Sequence, residues 1–141
     1  MTTPRFLLDT NILSEATRIQ PNAAVLRKLK QYSQSLATAS VVVHELMFGC
    51  YRLQASKRRQ ALEEYITSLL ARSIPIFSYD LNAARWHALE RARLVSLGGT
   101  PTYADGQIAA IAAMNNLILV TNNTADYTDF QDVQLENWFE L

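Results

Sequence analysis

The sequence contains a single cysteine, Cys50, in 141 residues, so no internal disulfide can form. A lone thiol suits a reducing compartment, and the expected location is cytoplasmic. Glycine and proline are scarce at four each, which excludes a collagen-like or low-complexity disordered chain. No apolar run approaches the roughly 20 residues that span a bilayer, so no membrane partner is expected. The opening residues 1–5 lead into no secretory h-region, because the apolar run Phe6-Leu7-Leu8 stops at Asp9. Basic residues are missing altogether beyond Arg93. The formal net charge of zero therefore hides a split. Residues 1–93 hold 13 bases and seven acids, a net of +6, and residues 94–141 hold six acids and no base, a net of −6. Such asymmetry implies two faces of opposite potential, unless the segments interleave on folding.

What is present is an alternation of short apolar runs with segments of helical period. Strands are expected at residues 5–8, 36–39, 74–77 and 117–120, with an edge strand at 133–135. Helices are expected at residues 12–18, 22–32 (with Pro21 in the first turn), 41–53 (capped by Ser40), 57–72, 81–97 (capped by Asp80) and 104–115. On the fifth of these, Leu81, Ala84, Ala88, Ala92 and Val95 recur at helical spacing and read as a core-facing stripe. The sixth is Ala-rich and apolar nearly all round, so it should be buried. Strands separated by helices imply parallel pairing through right-handed crossovers. The expected architecture is one α/β domain over residues 1–141, a three-layer α/β/α sandwich with a central, mainly parallel sheet.

In such sheets ligands bind beyond the carboxyl ends of the strands. Four acids fall there: Asp9 directly after the first strand, Glu45 one turn into the helix after the second, Asp105 at the start of the Ala-rich helix, and Asp126 shortly after the fourth strand. Each has a plainer reading alone. Asp9 can cap a helix or start an Asx-turn, Asp105 can complete a Thr102-x-x-Asp105 capping box, and Asp126 can be a solvated loop acid. Glu45 sits between Val41-Val42-Val43 and Leu46-Met47-Phe48 with no nearby base in sequence to pair it. Four carboxylates converging on one sheet edge make sense around divalent cations. Oxygen-only ligands favour Mg²⁺ or Mn²⁺ over zinc.

Other chemistries are poorly served. His44-Glu45 begins a zinc-protease motif, but position 48 is Phe. His44 and His87 stand apart and read as surface or packing residues, and Cys50 as an inert thiol. No Gly-rich phosphate loop is present. Asp9-Thr10-Asn11 lacks the second Asp of an Asp-x-Asp phosphatase, and no Lys follows Lys57 to serve a phospho-receiver.

Taken together, five segments in order resemble a PIN-domain ribonuclease, specifically the VapC-type toxins of toxin–antitoxin pairs. They are Leu7-Leu8-Asp9-Thr10-Asn11, the stretch from Ser40 through Glu45 to Gly49, Ala104-Asp105-Gly106-Gln107, Thr121-Asn122-Asn123 with Asp126-Tyr127, and Glu136-Asn137-Trp138. The resemblance implies Mg²⁺-dependent hydrolysis of RNA phosphodiesters. It makes Asp9 and Asp105 the principal metal ligands, with Glu45 joining directly or through water and Asp126 as a fourth acid for which Asn123 competes. Thr10, Asn11 and Thr121 would orient carboxylates or water. It further implies a homodimer, a VapB-type antitoxin whose tail occupies the acidic groove, and binding of operator DNA only through that antitoxin. RNA would be held by bases drawn from Lys57, Arg58 and Arg59 or from Arg85, Arg91 and Arg93. A catalytically silent PIN module, or a PIN nuclease in RNA processing without an antitoxin, are the alternatives.

Overall fold

In the computed structural model, which describes residues 3–71 and 74–139, Phe6-Leu7-Leu8 forms β1 (Phe6–Leu8), buried at all three positions. The other strands are β2 (Leu36–Ala39), β3 (Ile76–Phe77), β4 (Ile118–Val120) and β5 (Leu135–Glu136). They make one sheet in the order β3-β2-β1-β4-β5, parallel at every pairing. Phe6 aligns with Leu36 on one side and Ile118 on the other, so β1 is central. A strand covered on both faces needs apolar side chains throughout, which is why 6–8 reads as an unbroken apolar run.

The strand order fixes where ligands can bind. The chain steps from β1 out through β2 to β3, then crosses back to β4 and steps out the other way to β5. Right-handed crossovers running in opposite directions deposit their helices on opposite faces, giving the three-layer sandwich expected from the sequence. They also leave a crevice at the carboxyl ends of β1 and β4, where the winding direction reverses.

The helices are α1 (Thr10–Glu15), α2 (Ala23–Gln31), α3 (Ser40–Tyr51), α4 (Lys57–Ala71), α5 (Leu81–Ser96) and α6 (Tyr103–Met114), and a short 3-10 turn covers Thr124–Asp126. Residue 72, the expected end of α4, lies outside the described residues. Several starts differ from expectation. Asn22 caps α2, its Oδ1 accepting from the Ala24 and Val25 amides, so Pro21 precedes the cap and does not sit in the first turn. Ser40 is the first helical residue of α3, not its cap, because β2 runs straight into the helix through Ala39. Asp80 caps α5 through the Ala83 amide, as expected.

The expected core stripe of α5 is corrected. Leu81 is 65% exposed and Val95 58%, and the buried face carries Ala83, His87, Glu90 and Leu94. This second set also has helical spacing, but two of its members are polar, so an apolar pattern selects the wrong face. Their burial is compensated. His87 Nδ1 is 2.7 Å from the Tyr79 hydroxyl. Glu90 accepts from the Arg93 guanidinium at 2.7 and 3.0 Å and from the Gln131 amide at 2.7 Å. Arg93 also donates to the Asp129 carbonyl at 2.8 Å, so it is committed to the fold. Between α5 and α6 the contact is close: a Cβ on Gly106 would stand 2.1 Å from His87 Nε2. Only glycine lets α6 approach there, and this seats the start of α6, with Asp105, closely against α5. As expected, α6 is buried from Ile108 to Ala112.

Candidate active site

Asp9 ends β1 and caps α1, and is 5% exposed. Burying a carboxylate costs several kcal/mol unless donors replace its water. Four do so here. The Thr10 amide donates to Oδ1 at 2.8 Å, and Oδ2 accepts from Thr121 Oγ1 at 2.9 Å, the Tyr127 hydroxyl at 3.2 Å and Asn11 Nδ2 at 3.4 Å. None of these donors is a cation. Burial pushes the Asp9 carboxyl above its usual range, against the lowering effect of the Thr10, Thr121 and Tyr127 bonds, and the Asp105 charge adds to the rise. Oδ1 accepts a single bond and keeps a lone pair for another ligand.

The loop after β4 is tied to the end of β1 by the same residues. Thr121 Oγ1 accepts from Asn11 Nδ2 and from the Asn123 amide while donating to Asp9. Asn11 Oδ1 accepts from the Asn122 amide at 2.8 Å. The orientation of the Asp9 carboxylate is thus held from both sides of the topological switch.

Glu45 projects from α3 and accepts from Thr10 Oγ1 at 2.5 Å. Its carboxyl is also pushed up, by burial first and then by the charges of Asp9 and Asp105, while His44 acts the other way. Asp105 sits in the first turn of α6, and only half of a capping box forms. Thr102 Oγ1 accepts from the Asp105 amide at 3.2 Å, while the Asp105 carboxylate faces the Tyr127 hydroxyl at 3.3 Å.

Tyr127 was not singled out by sequence reasoning, and it joins the site. Its hydroxyl lies between Asp9 Oδ2 and Asp105 Oδ1, yet a phenol has one proton and can donate to one carboxylate at a time. Burial and the two flanking charges push its ionisation far above the ordinary phenol range, so it stays a donor. The available signal was weak: a buried tyrosine needs a partner for its hydroxyl, but nothing local names that partner.

Asp126 is exposed on the 3-10 turn. It shares with Asp105 and Asp129 a cleft of about 230 Å³, floored by Leu94 and Phe130. The acids therefore fall into two groups that meet at Asp105: Asp9, Glu45 and Asp105 in mutual electrostatic reach, and Asp105 with Asp126 across the cleft. Asn123 is exposed and its amide is engaged by Thr121.

Among the described residues no three Asp, Glu, His or Cys side chains are drawn together tightly enough to enclose an ion. Mg²⁺ does not require such a cage, since it is held by one or two carboxylates with water and substrate phosphate completing the shell. Two carboxylates that face one hydroxyl, with Asp9 Oδ1 keeping a lone pair beyond its single bond to Thr10, fit that donor chemistry. No helix among the described residues is long and apolar enough to cross a membrane.

The PIN domain family matches residues 6–133. VapC ribonuclease Y4jK of Sinorhizobium fredii is 32% identical over 127 residues, covering 86% of this chain and 89% of its own length. The tRNA(fMet)-specific endonuclease VapC of Shigella flexneri is 31% identical over 134 residues, covering 95% and 98%. The crystal structure of DNA-bound VapBC from Salmonella typhimurium superposes with a TM-score of 0.83 at 25% identity, covering 96% of this chain and 98% of that one. With a family match over most of its length, a matching fold and ribonuclease relatives aligned over most of both chains, the chain belongs to the PIN-domain family, among its VapC-type ribonuclease toxins.

Proposed function

We propose that this protein is a Mg²⁺- or Mn²⁺-dependent endoribonuclease acting as the toxin of a VapBC-type pair, with Asp9 and Asp105 as principal metal ligands. The observation that carries this reading is the Tyr127 hydroxyl shared by Asp9 and Asp105, two carboxylates from distant segments directed at one point. Glu45, tied to Thr10, joins directly or through water, and Asp126 offers the fourth acid from the cleft it shares with Asp105, with Asn123 as its competitor. A divalent ion there would supply Lewis-acid stabilisation of the phosphodiester and of the charge that develops during its hydrolysis. Thr10, Asn11, Thr121 and Tyr127 hold the carboxylates in place, so little reorganisation is left for the moment of reaction.

The partners follow from the same reading. The substrate is RNA, and a VapB-type antitoxin holds the toxin inactive and carries the complex to operator DNA. The Salmonella relative, crystallised as DNA-bound VapBC, supports this assembly. A homodimer is supported by the apolar face that α5 turns outward, where Leu81, Leu89 and Val95 are each more than half exposed.

The test is cleavage of a mixed RNA pool by the purified protein. Fragments should appear in Mg²⁺ or Mn²⁺ and stop on addition of EDTA. Expression should arrest growth, and co-expression of a small neighbouring reading frame should relieve the arrest. RNA left intact in both metals contradicts the reading.

A further inference from the structure

We propose that the outward face of α3, continued by the start of α4, is a stacking platform for single-stranded RNA, with Phe48 as the ring on which a base stacks. This rests on the ribonuclease reading above and adds where the substrate lies. Glu45 and Phe48 are three residues apart on α3, so their side chains leave neighbouring points of one helix face. Phe48 is 59% exposed and Tyr51 48%. The exposed positions along α3 are Ser40, His44, Phe48 and Tyr51, with Arg52 just beyond, and none is aliphatic.

The rings are instead interleaved with guanidinium groups and one imidazole. The Arg52 guanidinium lies 5.9 Å from the Phe48 ring centre, the His44 ring 6.3 Å from it on the other side in sequence, and the Arg59 guanidinium 5.7 Å from the Tyr51 ring. From residue 46 to residue 62 the sequence has four bases (Arg52, Lys57, Arg58, Arg59) and no acid. Gly49, one turn after Glu45 and next to Phe48, has open space where a side chain would stand. Alternating π faces and fixed positive charge is the chemistry that binds unpaired nucleotides with little regard to sequence. It also meets a need of the site, whose carboxylates repel a phosphate chain. The cationic strip begins within two turns of Glu45 and can hold the backbone while one phosphate enters.

The experiment uses a short single-stranded RNA carrying 2-aminopurine, titrated with the full-length protein at low salt in EDTA, so that binding is read whether or not the protein cleaves. The wild-type protein should quench the 2-aminopurine fluorescence. Phe48→Ala and Phe48→Leu should each lose the quenching and weaken binding roughly 5- to 150-fold, and Phe48→Trp should restore both. Arg52→Gln should lower the salt dependence by about one phosphate contact. Phe48→Leu binding as tightly as wild type overturns the proposal, since leucine keeps the apolar contact and lacks the π face. So does a wild-type protein without quenching, or a Phe48 variant that loses only a co-purifying protein partner. Quenching without cleavage in Mg²⁺ leaves the platform standing and removes the ribonuclease reading instead.

Discussion

Tyr127 carries the most informative contacts of any single residue, because its one proton serves two carboxylates. Removing the hydroxyl strips a donor from a buried charge, a loss worth about 1.5–3 kcal/mol for hydrogen bonds to ionised groups. Tyr127→Phe should therefore lower the unfolding free energy by about that amount in EDTA, read from denaturant midpoints at unchanged slope. Saturating Mn²⁺ should shrink the difference, because a bound cation compensates the charge that the hydroxyl otherwise serves. A loss of equal size with and without metal argues that Tyr127 is a packing residue only. The convergence of Asp9, Glu45 and Asp105 was legible in the sequence, because Asp9 follows a strand, Asp105 opens a helix and Glu45 lies one turn into another, all at one sheet edge. Tyr127 was not, because its partners are 118 and 22 residues away and no local pattern announces a bond over such distances.

At the scale of elements, α5 is instructive. Its buried face holds His87 and Glu90, whose compensation comes from Tyr79 before the helix, from Arg93 one turn further along it and from Gln131 far beyond it. Apolar periodicity cannot see such compensation, so it assigned the core to the face that points outward. The central strands were plainer: β1 and β2 are buried at every position, and short runs of small and apolar residues that stop at a helix start suit strands covered on both faces. Two outcomes follow for α5. Burial, aided by the Arg91 charge, holds the His87 imidazole below its ordinary value of 6.5, so it is neutral in the fold and takes up a proton on unfolding at lower pH. Its contribution is fully present above that value and is lost as pH falls toward the folded pKa, at up to about 1.4 kcal/mol per pH unit. Unfolding free energies between about pH 7.5 and about 5.5 should fall more steeply for wild type than for His87→Gln. Asp9, pushed upward, acts in the opposite sense at more acidic pH, and the His87 comparison separates the two. The second outcome concerns the outward face. Leu89→Asp with Val95→Asp should convert a dimer to a monomer in analytical ultracentrifugation while the circular dichroism is kept. A dimer that survives both substitutions places the interface elsewhere.

For the molecule as a whole, charge proved a poor guide to the site. The segment without bases supplies Asp105 and Asp126, and the basic segment supplies Asp9 and Glu45, so the acidic edge is assembled from both. The order of motifs was a better guide, since a parallel sheet with one reversal of winding brings the ends of β1 and β4 together wherever those strands lie in sequence. An acidic edge whose Asp9 is held by neutral donors alone keeps a repulsion that a cation relieves. Free Mn²⁺ at a hundred times its dissociation constant should stabilise the fold by about 2.7 kcal/mol. For a chain of this size that raises Tm by roughly 5–10 °C, reversibly with EDTA. No shift in wild type contradicts a metal site.

The most direct test of the central claim is RNA cleavage at saturating Mn²⁺ by wild type, Asp9→Asn and Asp105→Asn, each shown to be folded by circular dichroism. Each substitution keeps the size of the side chain and removes one charge from the proposed metal pair. The account predicts that either one lowers cleavage by at least about 1,000-fold, equivalent to about 4 kcal/mol of lost transition-state stabilisation. Folded Asp9→Asn and Asp105→Asn proteins that cleave RNA at the wild-type rate would contradict it.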